Sequence, residues 1–551
     1  MTLSSIPTSC GPRQGPATPS TPPRARRPRR RYPSAHGETL STESRMPTVN
    51  VASGDITAIA ADAIVVNLFE VVTSPAGGTG AVDRALDGAI SSLIADGDIK
   101  GKSGEITLIH AFGKLPAKRV IVAGLGKQSS FGLDEVRSLS GNVARYLRRH
   151  GIRRAATLAH GAGIGGLDTE AAAQAIAEGT MLGHYAFRKY RSSANGDQPE
   201  KELDELTIVE HDPAKLDALR SGVATGALLA DCAILVRDMV NEPANVMNPA
   251  KMAEIAANVA REVGLDITVL GREEMMTHGM GALLAVAQGS ANEPRLIVLE
   301  HHGDPSDPSN NIAIVGKGVT FDTGGVSLKQ AAGMWEMKSD MGGGASVIGA
   351  MRAIGRLKPK INVFGVIPAV ENMPSGTAQR PGDIVRAMSG KTIEVDNTDA
   401  EGRLILADAI SYIKQAKKAN RVVDIATLTG AIIVALGHVT TGVMGRSQPL
   451  IDAVLAASKA TGEKMWQLPL HDEYKEQNRS DWADVKNTGG RPAGSITAAL
   501  FIGEFTDGVE WAHLDIAGTA MSEKERGWIA KGATGVPMRT LVRLVRDLSK
   551  S

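Results

Sequence analysis

The sequence predicts an α/β protein in two parts, a smaller amino-terminal α/β domain joined by a helix to a larger one. The chain has 551 residues, about three times the usual single domain. From Met46 onward, short apolar runs alternate with helical patterns, the arrangement expected of sheets with helices on their faces. A polar, turn-rich stretch, RSSANGDQPEKE (Arg191–Glu202), breaks that alternation and is followed by a long helical pattern, so a boundary falls there.

Residues 1–45 stand apart. They hold eight Arg against two Glu, a net of +6, and eight of the 26 Pro, whereas the whole chain is only +1. With no periodic apolar pattern, the segment reads as a disordered arm. Three readings compete for it: a transit peptide, a nucleic-acid-binding tail, or an extension upstream of a working start at Met46. The abrupt change at Met46 into TVNVASGDITAIAADAIVVNLFE favours the third, and the Pro content argues against an amphipathic transit helix.

The first domain is expected over 46–205. AIVVNLF (Ala63–Phe69), EITLIHAF (Glu105–Phe112) and RVIVAGLG (Arg119–Gly126) read as buried strands. AVDRALDGAISSLIADG and LDEVRSLSGNVARYLRRHG read as helices. The connecting segment is 206–240, with its helix over about Ala214–Val240. Asn248-Pro249 then marks a new helix start, with Pro in the first turn. The second domain takes 241–551. Here LIVLEHH (Leu296–His302) and NIAIVGKG (Asn311–Gly318) read as neighbouring strands across a GDPSDPSN connection. A Gly-rich helix starts near Ala345, and NVFGVIPAV (Asn362–Val370) and RVVDIATLTGA (Arg421–Ala431) supply further strands.

Composition excludes several classes. Aromatics are 3% of the chain, so the core is aliphatic. The near-neutral balance gives no whole-chain argument for nucleic acid. Cys10 and Cys232 are the two cysteines, too few for a disulfide framework or a Cys-based metal site. No 18-residue apolar run or hydrophobic signal core is visible, which points to a reducing, soluble setting without a membrane partner.

Two glycine motifs are decoys. Gly161–Gly166 matches GxGxxG and precedes a helix near Asp168, but no second strand follows with the acid that a dinucleotide ribose needs. GLGK (Gly124–Lys127) lacks the upstream glycine of a phosphate loop. Both read as turns.

The informative cluster is GKGVTFDTGGVSLK, which follows an apolar strand and places Lys317, Asp322 and Lys329 among glycines. MKSDMGGG puts Asp340 before a helix. NTDAEGR, between the short strand KTIEVDN and the helix LILADAISYIKQAKK, adds Asp399, Glu401 and Arg403. Taken singly, each acid reads as a helix cap or a surface ion pair. As a set, three acid-bearing segments at strand ends point to one pocket. Asp399 and Glu401, in an extended segment, would face the same side. Clustered carboxylates need cations. With no HExxH and no His or Cys set, the site suits divalent ions held mainly by oxygen, and two ions about 3.5–4 Å apart could activate a water.

These motifs, with NEPANVMNP, DIATLTGA, NTGGRPAGSITAALFIGEF and WAHLDIAGTA, resemble the leucyl aminopeptidase (cytosol aminopeptidase) family over about 240–540. NTDAEGRL is the most specific of them. The resemblance implies a macro-like first domain and a dinuclear metalloaminopeptidase that releases Leu or similar apolar residues from peptide N-termini, through a hydroxide bridging two metals, in intracellular peptide turnover. It implies that Asp322 and Glu401 bridge the metals, Mn²⁺ or Zn²⁺, with Asp399 completing one site and Lys317 and Asp340 the other. Lys329 would bind the substrate carbonyl, and Arg403 a bicarbonate acting as general base. A neutral Lys ligand is unusual, and from the residues alone Lys317 reads equally as a salt-bridge partner. Arg403 likewise reads equally as an ion-pair partner of Glu401. Met337 lines the pocket for the first side chain or is an ordinary core residue. Peptides with a free N-terminus, a homohexamer with sites facing an interior cavity, and a cytoplasmic location follow from the same resemblance, with organellar targeting by residues 1–45 left open. Rival readings are DNA binding through the arm, phosphate-ester hydrolysis at the same site, and ADP-ribose binding by the first domain, the last on fold analogy alone.

Overall fold

The structure, a computed structural model, describes Gly11 and residues 46–163, 165–191 and 202–549. What the sequence suggests for residues 1–45, apart from Gly11, and for most of the Arg191–Glu202 stretch therefore lies outside the described residues.

Among the described residues, two sheets dominate. The first comprises β1 (Thr48–Ser53), β2 (Ala63–Phe69), β3 (Ile106–His110), β4 (Arg119–Gly126), β5 (Arg154–Leu158) and β6 (Glu205–Glu210). Their spatial order is β1-β6-β5-β2-β4-β3, parallel except for β3 against β4. Alternate residues of β2 enter opposite cores: Ala63 and Val65 face one, Ile64 and Val66 the other. Such two-sided burial explains why parallel strands read as unbroken apolar runs.

The second sheet contains β7 (Asp266–Leu270), β8 (Arg295–His302), β9 (Asn311–Gly316), β10 (Gly318–Asp322) and β11 (Asn362–Asn372). A side sheet of β12 (Ile384–Arg386), β13 (Thr392–Glu394) and β17 (Val485–Lys486) flanks it. The main sheet continues with β14 (Arg421–Ala426), β15 (Thr441–Gly445), β16 (Met465–Gln467) and β18 (Glu510–Asp515). The order is β16-β15-β18-β14-β9-β11-β8-β7, with β10 beside β11. Its centre, β18-β14-β9-β11, is parallel, and β15 and β8 flank it antiparallel. One expectation is corrected here. β8 and β9 are not neighbours, because β11 lies between them and pairs with both. A β8–β9 hairpin would have made the two antiparallel, whereas β11 reaches parallel β9 by way of the crossover helix Gly342–Leu357, as parallel pairing requires.

The helix Leu216–Asn241 follows the first sheet. Together with the preceding turn it is long and apolar enough to cross a membrane by length and composition, yet more than half of its apolar window is buried in protein. Its Arg237 is fully buried and donates to the carbonyls of Leu182, Trp528 and Thr534. This is a core helix tying three segments together. The next helix, Pro249–Val263, starts where the sequence places it, with the Asn248 side chain accepting from Lys251 N at 2.9 Å.

Candidate active site

The parallel centre of the second sheet delivers its polar residues to one edge, just beyond the strands' carboxyl ends. Lys317 follows β9, Asp322 ends β10, Asn372 ends β11, Thr427 follows β14 and Asp515 ends β18. Asp340 lies two residues before the first residue of the helix Gly342–Leu357, and Glu401 stands at the start of the helix Gly402–Lys417. All of these except Thr427 are buried.

Two lysines organise four carboxylates. Lys317 Nζ lies 2.8 Å from Asp340 Oδ2 and 2.7 Å from Glu401 Oε1, and donates to the Thr427 carbonyl at 3.1 Å. Lys329 Nζ pairs with Asp322 Oδ2 at 2.8 Å and with Asp399 Oδ1. Asp322, Asp340 and Glu401 each offer an oxygen, and these three atoms lie within 4.8 Å of one another. Asp399 joins the group through Lys329 and is the most open member, its side chain 33% exposed.

The sequence expectation that Asp399 and Glu401 lie in an extended segment is corrected. Thr398–Asp399 is a turn in which Asp399 N donates to Asn397 Oδ1 at 2.8 Å, and Glu401 is already helical. The turn still sends both carboxylates into the cluster. Asn487 holds it: its side chain accepts from Asp396 N and Asn397 N and donates to the Asn397 and Ala400 carbonyls. The backbone carbonyl of Asn487 takes Arg403 Nη1 at 2.7 Å. Gly402 lets Lys317 through, since a Cβ there would stand 2.7 Å from Lys317 Cε. Gly324, at φ +85°, would put a Cβ 2.4 Å from the Ser327 carbonyl and 3.0 Å from Asp399 Oδ1, so only glycine suits it.

Four acids against two ammoniums leave excess negative charge, and burial adds its own effect on each group's pKa. Burial lowers the pKa of Lys317, but Asp340, Glu401 and Asp322 more than reverse this and the net is upward. Lys329 behaves in the same way, with Asp322 first among its partners. Burial drives Asp340 well above the usual carboxylate range despite Lys317. Burial and the charge of Asp322 push Asp399 up to about 6, against Lys329. Burial draws Arg403 down to about 10, so it stays charged at neutral pH.

The residues fit divalent cations. The acceptors are hard oxygens. Asp340 Oδ2, Asp399 Oδ1 and Glu401 Oε1 accept no aligned hydrogen bond among the described residues and face only lysine ammoniums. Asp322 is pre-aimed, its Oδ1 receiving Gly324 N and Asn372 Nδ2, each at 2.8 Å. Asn372, Thr427 and Asn487 were not singled out from the sequence. A lone Asn or Thr at a strand end carries no local signal.

An α/β sheet presenting carboxylates and amines at its carboxyl edge has the layout of a metal-dependent hydrolase. The chain belongs to the cytosol aminopeptidase family: the model of the family's catalytic domain matches residues 234–542 and that of its N-terminal domain residues 65–194. A "Probable cytosol aminopeptidase" of Alkaliphilus metalliredigens is 44% identical over 500 residues, covering 91% of this chain and 99% of its own. One from Solibacter usitatus is 47% identical over 493 residues, covering 89% and 97%. Among solved structures, a tomato leucine aminopeptidase mutant superposes with a TM-score of 0.81 at 34% identity, covering 92% of this chain and 98% of its own. The bottromycin maturation enzyme BotP in complex with Mn does so at 0.78 and 34%, covering 89% and 100%. Membership makes the protein a metal-dependent aminopeptidase, a hydrolase of peptides.

Proposed function

We propose that the protein removes Leu or a similar apolar residue from the free N-terminus of peptides, using two divalent ions held by Lys317, Asp322, Asp340, Asp399 and Glu401. One observation carries this reading: four carboxylates from three chain segments converge with two lysines at the end of the parallel sheet. Asp322 and Glu401 would be shared between the ions, with Asp399 completing one site and Lys317 and Asp340 the other. Bound there, the ions would supply a hydroxide nucleophile near neutral pH and polarise the scissile carbonyl.

The chain's own residues do the rest. Lys317 must give up its proton to act as a ligand, and its buried position favours the neutral form once cations offset its acidic neighbours. Lys329, 23% exposed, is the ammonium open to substrate and donates to the carbonyl oxygen as charge builds there. Arg403 Nε has no hydrogen-bond partner among the described residues, which suits a small anion such as bicarbonate serving as general base. Met337, part-buried in the turn Met334–Ser339, would line the apolar pocket. Mn²⁺ is supported by the similarity to BotP, whose structure is a complex with Mn, and Zn²⁺ suits the same donors. A homohexamer and a cytoplasmic location complete the reading, together with a division at 46–205, 206–240 and 241–551.

The test compares leucine release from leucinamide and N-acetyl-leucinamide by purified 46–551 with Mn²⁺, before and after chelation. Chelator-sensitive cleavage of the free-amine substrate alone is expected. Cleavage of the acetylated substrate at a similar rate would sink the exopeptidase reading.

A further inference from the structure

One turn supports half of the proposed metal site. Between β14 and the helix Gly430–Leu436, Thr427 donates its hydroxyl to Asp340 Oδ1 at 2.7 Å and offers its carbonyl to Lys317 Nζ at 3.1 Å. Lys317 N also donates to the carbonyl of Ile425 at 2.9 Å. The placement of Lys317 and Asp340 therefore depends on where residues 425–429 sit.

The carboxylate of Asp515, on the neighbouring strand, fastens this turn. Its Oδ1 accepts from Leu428 N and Ala517 N, each at 3.2 Å, and its Oδ2 accepts from Thr429 Oγ1 at 2.7 Å. Thr429 is tied in turn, capping its helix through Ile432 N at 3.1 Å and meeting Ser495 Oγ at 2.8 Å. Asp515 is 1% exposed and lies within electrostatic reach of His513 and Arg403. Burying a carboxylate is costly, and an apolar side chain would serve packing alone. The three hydrogen bonds are what the position gains.

We propose that Asp515 is a positioning residue of the active site. By clamping the 427–429 turn through hydrogen bonds it holds Thr427 against Lys317 and Asp340, and so sets the affinity of the metal position those two complete. This rests on their assignment as metal ligands above. The proposed clamp works through hydrogen-bond geometry. An Asn side chain can keep all three contacts, its oxygen facing the two backbone N–H groups and its amide facing a rotated Thr429 hydroxyl. Ala can keep none.

The experiment titrates metal-free wild type, Asp515→Asn, Asp515→Ala and Glu401→Ala with Mn²⁺ alone by calorimetry, and follows hydrogen exchange in the peptide spanning 425–430 without metal. Asp515→Ala should bind one of two Mn²⁺ at least about ten-fold more weakly and exchange faster over 425–430, whereas Asp515→Asn should follow wild type in both readouts. A wild-type isotherm for Asp515→Ala overturns the clamp, and so does an Asp515→Asn as weak as Asp515→Ala. Glu401→Ala separates the two levels. If it still binds two ions, the ligand assignment falls and takes the clamp's purpose with it. If Glu401→Ala loses metal while Asp515→Ala binds normally, only the clamp falls. Should Asp515→Ala fail to fold, Thr429→Val against Thr429→Ser carries the same test, with weakened binding expected for Val alone and equal binding overturning the clamp.

Discussion

In the proposed reaction Glu401 and Lys329 have two separate jobs within one cluster. Glu401 is 1% exposed and pairs with Lys317, so Glu401→Ala removes an acceptor at the heart of the site. Activity should fall to background and metal content should drop, as read by leucinamide turnover and elemental analysis. Lys329→Met should keep its metal and lose about 10²–10³-fold in kcat, the scale for removing one donor to a developing oxyanion. Loss of metal in that variant would place Lys329 in binding and not in chemistry. The acids and lysines were legible because Gly-rich turns at strand ends advertise them. Asn372, Thr427 and Asp515 were not, since their roles exist only once β10, β11, β14 and β18 lie side by side.

At the scale of elements, local chemistry decided what could be read. β2, β4 and the start of β11 fall where their apolar runs place them, because strands buried on both faces leave unbroken patterns. The Asn248 cap is equally local. Asn248→Ala should cost about 1 kcal/mol, measured by denaturant unfolding, with little change in turnover. The strand order was not legible. β8 and β9 are close in sequence, but β11 pairs with both, and only packing of the helices on the sheet selects that arrangement. NTDAEGR shows the same limit at shorter range. The sequence supplied its charges, while the turn that aims them is held by Asn487, 88 residues beyond Asp399.

The whole molecule is bound together by buried charge. Arg539, in the helix Met538–Leu548, pairs with Glu178 at 2.6 Å and Glu463 at 3.4 Å and lies over the Trp528 ring, while Arg137 reaches Glu178 at 2.6 Å. Arg539→Ala would leave buried Glu463 without its cation and Glu178 with Arg137 alone, and should cost about 3–5 kcal/mol, measured by chemical unfolding. A pH effect belongs to the first sheet. His160 is buried, with Nδ1 accepting from Asn67 and Nε2 facing Thr157 Oγ1. Burial lowers its pKa to about 4 from 6.5. The unfolded chain therefore takes up a proton that the folded one refuses, and stability falls as pH drops from about 6.5 to about 4. Over that window wild type should lose about 3 kcal/mol more than His160→Gln. Equal losses would show that His160 accepts its proton in the fold.

Arg237 sends its three hydrogen bonds to carbonyls on both sides of the 192–201 stretch, to Leu182 before it and to Trp528 and Thr534 after it, and Arg539 reaches back to Glu178 in the same way. The bond to Leu182 and the pair with Glu178 cross from one side of that stretch to the other. Two separate polypeptides divided there and produced in one cell should complement each other, assembling into a particle that co-purifies and hydrolyses leucinamide.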